Sequence, residues 1–133
     1  MQLAGVRVLV VDDHEDTLEL ERMVLSSEGA DVRTARSVAE ALAVLSAFPA
    51  DVVVTDISMP ERDGFEMLRQ LRLVAGRTGK TPAIVATAHA EGQMRAAAAK
   101  AGFAFFVAKP VEPSALVRGI LNVVGGLSER PKD

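Results

Sequence analysis

Apolar residues fall into short blocks set apart by stretches of helical spacing. Arg7 to Val11, Val52 to Thr55, Ala83 to Ala86 and Phe103 to Ala108 are predicted strands, and three of these are continuous apolar runs rich in β-branched residues. Such runs suit strands covered on both faces. Asp31 to Thr34 is more polar and predicts an edge strand. Between the strands, Asp16-Thr17-Leu18-Glu19 has the spacing of an N-cap box, opening a first helix that stops near Gly29. Ser37-Val38-Ala39-Glu40 repeats the box, and Val38, Ala41, Leu42 and Leu45 form one apolar stripe. Phe65, Leu68 and Leu71 mark a third helix ending around Gly76. Glu91 to Lys100 is an alanine-rich fourth, stopped by Gly102. Pro113 suits a first helical position, with Leu116, Val117, Ile120, Leu121 and Val124 striping the fifth helix.

Five strands alternating with five helices predict an α/β fold of three layers, a doubly wound parallel sheet with helices on both faces. Right-handed crossovers favour the flavodoxin-like strand order 2-1-3-4-5. Gly125-Gly126 is read as the end of the last helix, giving a domain over 1–124 and a polar tail or linker over 125–133. At 133 residues the chain suits one domain, and 49% apolar residues exclude disorder. A net charge of −3 gives no sign of nucleic-acid binding. The absence of cysteine excludes disulfides, thiolate metal sites and a cysteine nucleophile. No apolar run approaches a membrane span, and Met1 to Gly5 lacks the pattern of a signal peptide. A cytoplasmic protein is expected.

The polar residues that interrupt the apolar runs share one edge. Asp12 and Asp13 follow the first strand, Asp56 closes the third, Thr87 the fourth and Lys109 the fifth. All five stand at carboxyl ends of strands, where open α/β sheets bind ligands. Taken singly, each has an ordinary explanation. Asp12-Asp13 would cap a helix, Asp56 would open a turn, Thr87 would end a strand, and Lys109 would be solvated. Those explanations leave the shared edge unaccounted for. Three carboxylates packed together repel one another unless a cation intervenes. An oxygen-only cluster with an open position suits Mg²⁺.

Val-Leu-Val-Val-Asp-Asp, Asp56-Ile57-Ser58-Met59-Pro60 with Asp63-Gly64, Thr87-Ala88 and Lys109-Pro110 together resemble the receiver domain of bacterial response regulators, over about residues 5 to 124. The resemblance implies a phosphoacceptor in a two-component phosphorelay rather than an enzyme with turnover. It implies that Asp56 takes a phosphoryl group from a histidine kinase or histidine phosphotransfer protein. Asp13, Asp56 and the backbone carbonyl of Ser58 would hold Mg²⁺ directly, and Asp12 through water. Lys109 would pair with the phosphoryl oxygens, and Thr87 would turn its hydroxyl toward them. Phe106 occupies the aromatic switch position of the family, and Lys109-Pro110 its cis peptide. An output domain or partner protein would read the switch.

His14, Ser58 and His89 flank these positions and are expected to be ordinary loop or helix-start residues. Ala104 and Phe105 stand where winged-helix-class receivers typically carry two acids, and Ala96 to Ala99 replace a charged face on the fourth helix. Arg118 on the fifth helix could still make part of such a dimer contact. Ala101-Gly102-Phe103 is similar instead to receivers of hybrid histidine kinases. The alternative is a Mg²⁺-dependent phosphatase or phosphotransferase of the haloacid dehalogenase type. That family needs an aspartate two residues after its nucleophile, where Ser58 stands relative to Asp56.

Overall fold

In the computed structural model, residues 1–57, 63–89 and 91–128 are described, with side chains described through 125. Ser58, Met59 and Pro60 lie outside the described residues. Five parallel strands, β1 (Arg7–Val11), β2 (Asp31–Ala35), β3 (Val52–Thr55), β4 (Ala83–Thr87) and β5 (Phe105–Ala108), form one sheet in the order β2-β1-β3-β4-β5. The helices are α1 (Glu15–Ser27), α2 (Val38–Leu45), α3 (Gly64–Leu73), α4 (Gly92–Ala101) and α5 (Pro113–Ser128).

The sheet is the middle layer because both of its faces are apolar. Val8, Val10, Val52, Val54, Ile84 and Ala86 face α1 and α5, whose Leu18, Leu25, Leu116 and Ile120 join them in one buried cluster. Leu9, Val11, Val53, Ala83 and Val85 face the other way and bury Val38, Ala41 and Leu45 of α2 with Met67, Leu68 and Leu71 of α3. β2 has exposed or half-buried residues along most of its length, as the polar run predicted for an edge.

Local chemistry explains where boundaries differ from expectation. α1 begins at Glu15, with His14 as its N-cap; Asp16 sits inside the first turn instead of capping it. The Asp12 carboxylate accepts the His14 N–H at 2.9 Å, so the chain turns earlier than the Asp-x-x-Glu pattern suggests. Ser37 does cap α2, its Oγ accepting the Glu40 N–H at 3.1 Å. The Glu40 side chain reaches back to the N–H of Arg36 at 3.3 Å. α3 ends at Leu73, and a 3₁₀ turn over Gly76–Lys80, not expected from the pattern, leads into β4. Phe103 is not part of β5; its N–H donates to Ala98 O and closes α4 behind Gly102, which has a φ of 111°. α5 runs through Gly125 to Ser128, past the expected stop. A glycine inside a helix costs only about 1 kcal/mol, too little to end one on its own.

Candidate functional site

Every strand that contributes to the site ends at the same edge. The β1–β3 register pairs Val11 with Thr55, so the next residues, Asp12 and Asp56, leave the sheet side by side. Thr87 pairs with Ala108 across β4 and β5, which sets Lys109 just beyond Thr87. The edge is fixed by backbone bonds: Asp12 N–H donates to Ala35 O, Asp56 N–H to Val11 O, and Lys109 N–H to Thr87 O.

The site's polar groups are drawn inward. Asp12, Asp56 and Thr87 are 2%, 6% and 0% exposed. The Lys109 ammonium lies 2.5 Å from Asp12 Oδ2 and 3.1 Å from Asp56 Oδ2. Burial works against the Lys109 charge, yet the hydrogen bonds and charges of Asp12 and Asp56 outweigh it and hold its pKa above the ordinary value. Lys109 is therefore a fixed cation between two carboxylates and not the solvated lysine of its ordinary explanation. The Lys109-Pro110 peptide is cis.

His14, Thr17, Asp56, Thr87, Ala88, His89 and Lys109 line an open cavity of about 270 Å³ over this cluster. A larger cavity of about 460 Å³ between α1 and α5 lies away from the carboxylates. Thr87 Oγ1 accepts the His89 N–H at 3.2 Å. Phe106 pairs with Val85 and so lies on the same sheet face as Thr87, its diagonal neighbour. The Phe106 ring packs against the core on that face, and the Arg95 guanidinium of α4 sits 4.5 Å from its centroid.

The loop after β3 approaches by a tight contact. Asp63 caps α3 through Oδ1, which accepts the Glu66 N–H at 2.9 Å. Gly64 follows, and a Cβ there would stand 2.3 Å from the Asp56 carbonyl oxygen and 2.9 Å from Ile57 Cα. Asp63-Gly64 thus holds α3 against the backbone of Asp56.

Asp12, Asp13, His14 and Asp56 offer donor atoms that all lie within 4.8 Å of one another. Asp13 Oδ1 is buried without a hydrogen-bond donor among the described residues. An orphaned carboxylate oxygen beside two further carboxylates fits a hard divalent cation such as Mg²⁺.

Residues 8–121 match the family described as "Response regulator receiver domain". The chain belongs to the response regulator receiver domain family. It is 44% identical over 117 residues to a 14.6 kDa protein from the sodA1 3′ region of Leptolyngbya boryana, covering 87% of this chain and 88% of that one. Transcriptional regulatory protein GlrR of Escherichia coli is 38% identical over 85% of this chain, which spans 25% of GlrR. Hybrid signal transduction histidine kinase D of Dictyostelium discoideum is 33% identical over 92% of this chain, which spans 8% of that kinase. Among solved structures, a receiver domain from Clostridium thermocellum superposes with a TM-score of 0.83 at 29% identity, covering 92% of this chain and 97% of that one. CheY4 of Vibrio cholerae does so with a TM-score of 0.80 at 28% identity, covering 89% and 98%. Receiver domains are phosphoacceptors of two-component signalling, and the acidic cluster lies where this receiver's strands end.

Two features of the receiver site were missed in the sequence. His14, read as a plain helix-start residue, is exposed but brings Nδ1 to 3.2 Å from Asp12 Oδ1 and 3.3 Å from Asp13 Oδ1. Glu21 is 2% exposed on the inner stripe of α1, and its Oε2 has no hydrogen-bond partner among the described residues. Burial, augmented by Asp12 and Asp56 and opposed by Lys109, pushes the Glu21 pKa up to about 7. The signal was present: Leu18, Glu21 and Leu25 follow helical spacing, and a glutamate interrupts the stripe.

Proposed function

We propose that Asp56 is the residue of this receiver that takes the phosphoryl group, from a histidine kinase or a histidine phosphotransfer protein. An Asp56 carboxylate oxygen attacks phosphorus, the P–N bond of the phosphohistidine breaks, and the donor imidazole leaves. The observation that carries this reading is the Lys109 ammonium, held between Asp12 and Asp56 at the floor of an open cavity. Phosphoryl transfer depends on positioning and on neutralising charge more than on covalent chemistry by the protein. Lys109 is already placed to meet the incoming oxygens. Asp12, Asp13 and Asp56, with the Ser58 carbonyl by resemblance, are the residues that would hold Mg²⁺, which when bound adds positive charge for the phosphoryl oxygens.

Thr87 and Phe106 carry the consequence outward. The Thr87 hydroxyl can exchange its bond to the His89 amide for one to the phosphoryl group, and the chain it pulls borders Phe106. An output domain or partner protein would read the altered α4, β5 and α5 surface. A donor kinase domain places this exchange in the cytoplasm. Family membership favours a phosphoacceptor over the steady turnover of a haloacid-dehalogenase-type enzyme.

The test is incubation with acetyl phosphate and Mg²⁺, followed by intact mass. One phosphoryl group is expected on the wild type, none on Asp56→Asn and none in EDTA. Wild-type labelling of Asp56→Asn overturns the assignment.

A further inference from the structure

The phosphoacceptor reading gives His14 no task, although its imidazole faces the acids. Asp12 Oδ1 accepts the His14 N–H at 2.9 Å, and this fold-back carries the ring over the site. Lys109 takes Oδ2 of both Asp12 and Asp56, which leaves Asp12 Oδ1 turned toward the ring. His14 Nδ1 then lies 3.2 Å from Asp12 Oδ1 and 3.3 Å from Asp13 Oδ1. A bare Nδ1 lone pair would repel two carboxylate oxygens, so either Nδ1 carries a hydrogen, which the neutral tautomer already allows, or a metal ion lies among the three atoms.

Two observations favour the metal. Among the described residues Asp13 Oδ1 is buried and accepts no hydrogen bond, so a proton on Nδ1 serves Asp12 and leaves Asp13 unserved. Adjacent donors on one octahedral ion, with bonds of about 2.1 Å, stand roughly 3 Å apart. The two separations at His14 match that spacing. An all-oxygen site suits Mg²⁺, whereas imidazole nitrogen suits the later divalent transition ions.

We propose that His14 is a ligand of the ion site and biases this receiver toward later divalent transition ions such as Ni²⁺ over Mg²⁺. The proposal rests on the reading that Asp12, Asp13 and Asp56 hold the ion. It assigns the imidazole a part that an acid cluster alone would not play. Because the His14 side chain is 68% exposed, its removal leaves the core untouched.

Tag-free protein, whose two histidines are His14 and His89, should be titrated calorimetrically with Mg²⁺ and separately with Ni²⁺. The variants are His14→Ala, His14→Asn, which keeps a residue suited to an N-cap, and His89→Ala. Both His14 variants should lose about tenfold or more in Ni²⁺ affinity while Mg²⁺ affinity changes little. With Mn²⁺ bound, electron spin echo modulation should show nitrogen coupling in wild type and His89→Ala, and none in His14→Ala. If His14→Ala tightens every ion alike, the imidazole is a protonated competitor and the proposal is overturned. Nitrogen coupling that survives His14→Ala overturns it as well. Asp13→Asn and Asp56→Asn separate the two readings: both should abolish Mg²⁺ binding whatever His14 does. Undiminished Mg²⁺ binding in those variants removes the acid site on which the proposal stands.

Discussion

Lys109 Nζ stands 2.5 Å from Asp12 Oδ2, joining the end of β5 to the end of β1 across two intervening strands. Asp12 is 2% exposed and the Lys109 side chain 14%, so the pair is shielded from solvent. Removing one partner of a buried pair leaves an uncompensated charge, a loss of about 3 kcal/mol. Lys109→Met should therefore destabilise the metal-free protein by roughly that amount. Millimolar Mg²⁺ should recover part of it, since a divalent cation neutralises the same carboxylates. Urea unfolding with and without Mg²⁺ measures both effects, and equal losses in the two conditions contradict the charge argument.

Glu21 gives a second, pH-dependent prediction. Its folded pKa of about 7 lies above the ordinary 4.5, so the folded protein retains this proton longer than the unfolded chain. The sign follows from linkage: stability is unimpaired below about pH 4.5, falls as pH rises toward 7, and stays lowered above it. Glu21→Gln keeps the shape and removes the penalty. It should stabilise the protein by roughly 1–3 kcal/mol at pH 8 and by little at pH 5. The two proteins differ at this one side chain, so the difference between their denaturation curves isolates Glu21. A constant offset between pH 5 and pH 8 rules this account out.

Gly64 is where α3 meets the end of β3 at Asp56. A Cβ 2.3 Å from the Asp56 carbonyl oxygen meets backbone and cannot be relieved by a side-chain rotation. Gly64→Ala should cost about 2 kcal/mol or more through overpacking, against a normal gain for alanine within a helix. It should also slow labelling by acetyl phosphate, because the displaced atoms belong to Asp56 itself. Gly92, the first residue of α4, has open space around it and supplies the control. Gly92→Ala should be neutral or stabilising in the same melts.

The sheet was legible because its strands are apolar runs with polar ends, and those ends carry the site. Val11-Asp12, Thr55-Asp56 and Ala108-Lys109 each mark a strand terminus, and parallel topology then brings them to one edge. Contacts between distant segments were not legible. Nothing near Gly64 announces the Asp56 carbonyl beside it, and nothing near Arg95 announces the Phe106 ring. The start of α1 was misplaced because a side chain upstream of the helix, Asp12, outcompeted the local box by binding the His14 amide. Glu21 was visible as a break in the Leu18 to Leu25 stripe, but its meaning needs the sheet and α5 packed around it.

The coupling between Thr87 and Phe106 is the last relationship to test. Both lie on one face of adjacent strands, and Arg95 stacks on the far member of the pair. A ligand moves an equilibrium only through contacts that differ between the two states. Thr87→Ala keeps every charge in the pocket and deletes only the hydroxyl that can leave the His89 amide for a phosphoryl oxygen. The variant should still bind beryllofluoride at Asp56. Amide NMR of the wild type should show shifts reaching from Asp56 through residues 87–112, including Arg95 and Phe106. In Thr87→Ala those shifts should stay within the pocket loops. Arg95→Ala sharpens the comparison, since it frees the ring and leaves the hydroxyl, so its response should still reach Phe106. If Thr87→Ala responds across the whole surface as the wild type does, the hydroxyl is not the link, and Phe106 is a core residue under an arginine.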